Sequence, residues 1–129
     1  MPFISGEFTV AMLPETMSAV AADSGIGRMS LNKRYHGALQ AEGKGEMLAY
    51  MDRALGSGVY VAVERVTGAL AGRDGSFLLH HTGVMTRGAP GLTVAVVPDS
   101  GSGELAGLSG SLTIRIEGEK HYYDFEYTL

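Results

Sequence analysis

The chain has 129 residues, no cysteine, and 14 acidic against 10 basic residues for a formal net charge of -4. That length fits a single domain with its own core, and the missing cysteine excludes disulfide staples, thiolate nucleophiles and cysteine-ligated zinc. Lysine and arginine are scattered rather than gathered into a stripe, so the concentrated positive field that phosphate backbones need is absent and nucleic acid is not an expected partner.

The opening "MPFISGEFTV" carries neither the basic lead nor the apolar run of a secretory signal, and no stretch has the apolar length of a spanning helix, so a cytoplasmic protein without membrane contact is expected. Ile4, Phe8, Val10 and Met12 alternate with Ser5, Glu7 and Thr9, which predicts a half-buried strand over Ile4 to Met12. From Leu13 to Gly27 the period breaks. Pro14 followed by Glu15 is compatible with a helix start, and a long loop with at most two helical turns is expected there. Alternation returns from Arg28 to Tyr35, and Gly37 reads as a bulge or bend. A third strand runs from Leu39 to Asp52, broken by Gly43 and Gly45. Val59 to Ala71, Phe77 to Met85, Leu92 to Val97, Ser111 to Glu117 and Lys120 to Thr128 complete the set, with a turn near Arg73 and Asp74 and another at Gly118 and Glu119.

Eight strands joined mostly by short loops, with no helix between them, predict an antiparallel meander. A single open sheet of that size exposes two long edges, and closure into an all-β barrel removes them. A two-sheet sandwich satisfies the same local pattern. The 19 glycines include an internal echo: "GALAGRDGSFLL" at 68–79 and "GELAGLSGSLTI" at 103–114 share one pattern, and both are expected to be structural turns that deliver a new strand.

The segments "ERVTGALAGRDGSFLLHHTG", "VPDSGSGELAGLSGSL" and the terminal "HYYDFEYTL", together with the opening "GEFTV", resemble a family of small bacterial proteins known as domain of unknown function 3224, across almost the whole chain. The resemblance implies an eight-stranded barrel like that of allene oxide cyclase, assembled as a homo-oligomer with a dimer expected. It brings no reaction with it, and no cyclase catalytic motif can be matched residue by residue.

With Arg73 and Asp74 at the tip of the central hairpin, Leu70 faces Phe77, Val66 faces His81 and Glu64 faces Gly83. Glu64 and His81 then share one face at the end of an apolar lining, while His80 points to the other side. They are the catalytic candidates: a desolvated Glu64 with a raised pKa as acid and His81 as base, or a pair that holds the polar head of an apolar ligand. The plain alternative is that they only satisfy each other, or tyrosines near the barrel mouth. Tyr50, Tyr60, Tyr123 and Phe125 are candidate ligand contacts, although aromatic residues at period two more often build core. His36, His81 and His121 stand in separate strands with nothing local to converge them, and no metal or other cofactor is expected. Arg28, Lys33 and Arg34 read as a solvated strand surface, and Glu104 as a loop acid. "SGSGELAG" lacks P-loop and dinucleotide spacing, and no serine sits in a nucleophile elbow.

The expected function is the binding of a small, mainly apolar molecule inside the barrel. The alternatives are an isomerase or cyclase using Glu64 and His81 for proton transfer, and a solid scaffold barrel with no ligand. A continuous cavity separates the first two from the third.

Overall fold

In the computed structural model, which describes residues 2–129, the alternating segments become antiparallel strands: β1 (Phe3–Glu15), β2 (Gly27–Tyr35), β3 (Leu39–Asp52), β4 (Ser57–Leu70), β5 (Arg73–Thr86), β6 (Ala89–Val96), β7 (Ser102–Gly103), β8 (Ser109–Glu117) and β9 (Lys120–Thr128). Eight of them run in the order β4-β3-β2-β1-β9-β8-β6-β5, and β5 pairs back onto β4, so the meander closes into an eight-stranded barrel without free edges. The two-residue β7 adds to β5 beside Gly75 and Ser76, below the end of β6. Among the described residues no helix is long and apolar enough to cross a membrane.

β1 continues three residues past the expected end, and its pairing with β2 runs on to Glu15↔Arg28. Pro14 is tolerated because β9 pairs with β1 only as far as Phe8, which leaves this stretch with one neighbour instead of two. Residues 16–26 then form turns without a helix. Gly43 and Gly45 do not interrupt β3, which pairs continuously with β4 from Leu39 to Asp52.

The central hairpin turns at Ala71 and Gly72, not at Arg73 and Asp74, since Leu70 pairs with Arg73. Both turn residues have positive φ, 49° and 83°, the type I′ geometry whose twist matches the flanking strands. Moving the turn back by two residues shifts every partner by four: Glu64 faces Leu79, Ala62 faces His81 and Tyr60 faces Gly83. An even shift preserves side-chain parity, so Glu64 and His81 remain on one face.

The echoed glycine motifs have different fates. The first is the hairpin turn, whereas the second packs Leu105 and Leu108 into one end of the barrel as a plug, both at most 2 % exposed. Gly75 permits this, because a side chain there would strike the Ser102 carbonyl and keep the loop from docking. Leu39, Leu70, Phe77, Phe125 and Tyr127 belong to the same buried cluster as the plug. Phe77 and Phe125 stack with centroids 6.0 Å apart. Each such side chain, fully buried, contributes about 1.5–3 kcal/mol. The barrel is thus solid at one end, and what happens at the other end positions the site.

Candidate functional site

Glu64 lies midway along β4 with its side chain directed inward and 1 % exposed. Its neighbour across β3 is Gly45, and Gly43 lies one inward position further. A Cβ on Gly43 would collide with the Glu64 carboxylate and press on the Tyr35 ring, and one on Gly45 would strike the β4 backbone at Val63 and Glu64. The two glycines therefore vacate the space that a buried carboxylate and its partners occupy.

Three groups donate to that carboxylate. Lys33 Nζ lies 2.8 Å and His81 Nε2 2.6 Å from Oε1, and the Tyr35 hydroxyl lies 3.0 Å from Oε2. Lys33 is only 6 % and His81 3 % exposed, so this is a desolvated network and not a surface pair. The Lys33 ammonium also sits over the Phe8 and Tyr35 rings, 5.3 and 5.9 Å from their centroids, a cation–π setting that adds to its neutralisation by Glu64.

Burial works to raise the Glu64 pKa, but the hydrogen bond from His81 and the charge and hydrogen bond of Lys33 outweigh it and hold the carboxyl below its ordinary value. The expectation of a raised Glu64 acting as acid is therefore corrected: with two donors on Oε1 the group is held as a carboxylate. Burial, followed by the Glu64 charge and hydrogen bond, drives the Tyr35 phenol well above its usual range, so it stays a donor. An ionised carboxylate only accepts, hence His81 Nε2 carries a proton, and in the neutral imidazole Nδ1 is then the nitrogen with the lone pair. No described residue hydrogen-bonds Nδ1, and no sealed side-chain nitrogen or oxygen lacks a partner, so Nδ1 is accessible from the interior space.

That space is an apolar cavity of about 330 Å³ at the open end. Lys33 and His81 form its polar floor; Val10, Leu31, Met47 and Ile114 are among its walls, with His121 and Tyr60 at the sides. It opens because β6 and β8 pair only at Val94↔Leu112 and Ala95↔Ser111, so the strands part beyond that point, where Leu92, Ile114 and Ile116 flank the gap.

Residues 4–127 match the family described as Protein of unknown function (DUF3224). The chain belongs to this family. A crystal structure of a DUF3224 protein with unknown function from Shewanella oneidensis MR-1 is 44% identical, with a TM-score of 0.92, and the match covers 100% of this chain and 97% of that one. No curated protein matches the chain. The DUF3224 fold is an eight-stranded antiparallel barrel resembling that of allene oxide cyclase, in agreement with the sequence reading.

Within this DUF3224 barrel Glu64 and His81 meet directly, through different partners than the expected register assigned. Tyr60 lines the cavity, and burial, then the Glu64 charge, raises its pKa. Tyr123 and Phe125 do not line it. Tyr123 is fully buried at the solid end, where its hydroxyl donates to the His36 carbonyl at 2.8 Å and accepts from the Leu39 amide at 3.2 Å. Phe125 is packed between Phe77 and Tyr127. Tyr50 falls on the outward parity of β3 and is 48 % exposed. Among the described residues no three His, Asp or Glu side chains are placed to hold a metal ion. Lys33 overturns its reading as solvated surface, and it and Tyr35 are the site residues that sequence reasoning missed. The available signal was parity: Leu31, Lys33 and Tyr35 occupy alternate positions, so the lysine lies on the apolar side of its strand.

Proposed function

We propose that the barrel is an isomerase- or cyclase-type enzyme that moves a proton on a mainly apolar small molecule bearing a carbonyl group. The observation that carries this reading is the buried Lys33–Glu64–His81 cluster forming the floor of an apolar cavity. A barrel serving only as scaffold has no use for a desolvated ion pair and an attached histidine beneath an open space.

In the proposed step the substrate carbonyl oxygen approaches Lys33 Nζ. His81 Nδ1 removes a proton from the carbon alpha to that carbonyl; the C–H electron pair becomes a C=C bond, and the carbonyl electrons move to oxygen as an enolate. The Lys33 ammonium stabilises the oxyanion, and Glu64 stabilises the imidazolium that has formed. In a β,γ-unsaturated carbonyl substrate, return of the proton from His81 to the γ-carbon of the dienolate moves the double bond and gives the isomer; in a dicarbonyl substrate, attack of the alpha carbon on the second carbonyl carbon breaks that C=O π bond, and the alkoxide formed takes the proton from His81 to complete ring closure. No redox partner is required.

The test is deuterium exchange. Straight-chain methyl ketones in deuterated buffer, followed by NMR, should gain deuterium at the alpha carbon faster with the protein than without it, and His81→Gln should remove the acceleration. Binding without any exchange would favour the simple ligand-binding barrel.

The proposal also includes assembly as a homodimer through the outer face of β4. Val59, Val61 and Val63 are 44%, 45% and 53% exposed at successive outward positions, where a solvated sheet face ordinarily carries polar residues. Such a row is self-complementary about a two-fold axis. Light scattering on wild type and Val61→Lys tests it: a dimer converted to monomer supports it, and a monomeric wild type rejects it.

A further inference from the structure

The cavity does not end at its mouth. The β3–β4 pairing runs on to Asp52↔Ser57 and the β4–β5 pairing to Gly58↔Met85, past Gly27↔Ala49 where β2 ends, so the wall of β3, β4 and β5 projects beyond β2. On that projecting wall lies a second apolar hollow of about 320 Å³, with Ala49, Met51, Met85 and Pro90 in its lining. Met47, Tyr60 and Leu92 line both hollows, which therefore adjoin along these side chains.

Tyr60 stands at the junction, directly across from Gly83 in the β4–β5 pairing. Its ring lies against the Gly83 backbone, in space that a Cβ on Gly83 would take. An aromatic side chain covering a cross-strand glycine is a stable pairing in its own right. Here it also keeps the ring along the wall and out of the passage. The three methionines of the second hollow, Met47, Met51 and Met85, are unbranched and polarisable, and fit apolar chains of different shape.

We propose that the two hollows form one binding track: the ligand's polar head rests on Lys33 and His81, and an extended apolar tail passes over Tyr60 onto the methionine ledge. Gly83 is the specificity-determining residue, because its missing side chain holds the passage open. The track rests on the head-group site of the proposed function and adds a requirement on the shape of the substrate: a single extended tail, longer than the inner cavity can hold.

Calorimetric titration with straight-chain methyl ketones, from hexanone to tetradecanone, tests this. Wild-type affinity should rise about fourfold for each added methylene, and keep rising through the longest members. Gly83→Leu, which pushes the Tyr60 ring into the passage, and Ala49→Phe, which fills the ledge from a half-buried position, should both leave the short ketones unchanged and stop the rise for the long ones. Ala49→Phe alone decides the matter if Gly83→Leu does not fold. An affinity plateau at the short members in wild type, or a long-chain gain that survives in Ala49→Phe, overturns the track while leaving the head-group site intact. Failure of every ketone to bind the wild type overturns both.

Discussion

Replacing Glu64 by glutamine changes charge while nearly preserving shape, which makes it the sharpest probe of the buried cluster. The amide oxygen can still accept from Lys33 and His81, but the Lys33 ammonium, 6 % exposed, loses its only ion-pair partner among the described residues. Removing one member of a buried pair typically costs about 3–5 kcal/mol, because the remaining charge is left desolvated. For a domain of this size that corresponds to a fall in Tm of roughly 10–20 °C. Lys33→Met in the same chain removes the orphaned charge and sets an apolar chain beside Phe8 and Tyr35, so the double variant should regain most of the loss. Urea unfolding of wild type, both single variants and the double variant gives the coupling energy directly. A loss below about 1 kcal/mol for Glu64→Gln, or strict additivity in the double variant, would refute the claim that these charges are buried and mutually dependent.

Acid should act through the same carboxylate. Glu64 has a folded pKa below its ordinary 4.5, so its contribution is fully present above that pH and is lost as pH falls through the folded value. The stability difference between wild type and Glu64→Gln should therefore be constant near neutrality and shrink below pH 4.5; a difference that grows on acidification contradicts the assigned direction. His81→Gln should lower ketone deuterium exchange by roughly 10²–10⁴-fold with ketone affinity little changed, as measured by NMR and calorimetry, and an equal loss of both would make His81 a binding residue instead of a base. Gly43→Ala should displace the Glu64 carboxylate and reduce exchange more than it lowers Tm, since the added methyl meets the reactive cluster itself. Gly72→Val should cost about 1–3 kcal/mol by urea unfolding although nothing lies within 4 Å, because valine is strained at φ 83°; an unchanged midpoint would mean that the turn relaxes.

The strands and their faces were legible in the chain because alternation is a local property with a period of two. So was the company of Glu64 and His81: their shared face depends only on parity, and survived a hairpin turn displaced by two residues. The turn itself could not be placed by composition, since Ala71 and Gly72 qualify through positive φ that the strand twist imposes on them. Lys33 carried a readable parity signal that its charge obscured, for an isolated lysine in a strand is ordinarily solvated.

What the sequence alone determined is an antiparallel wall with an inner apolar surface and an acid and a histidine upon it. Tertiary structure decided which end is filled and which is open, through the Leu105 plug and the short β6–β8 seam. It also decided that Lys33 and Tyr35, 31 and 29 residues from Glu64, would converge on one carboxylate in space left by Gly43 and Gly45. Side-chain direction is set within a strand, but convergence across β2, β3, β4 and β5 depends on registers fixed only when the whole sheet closes.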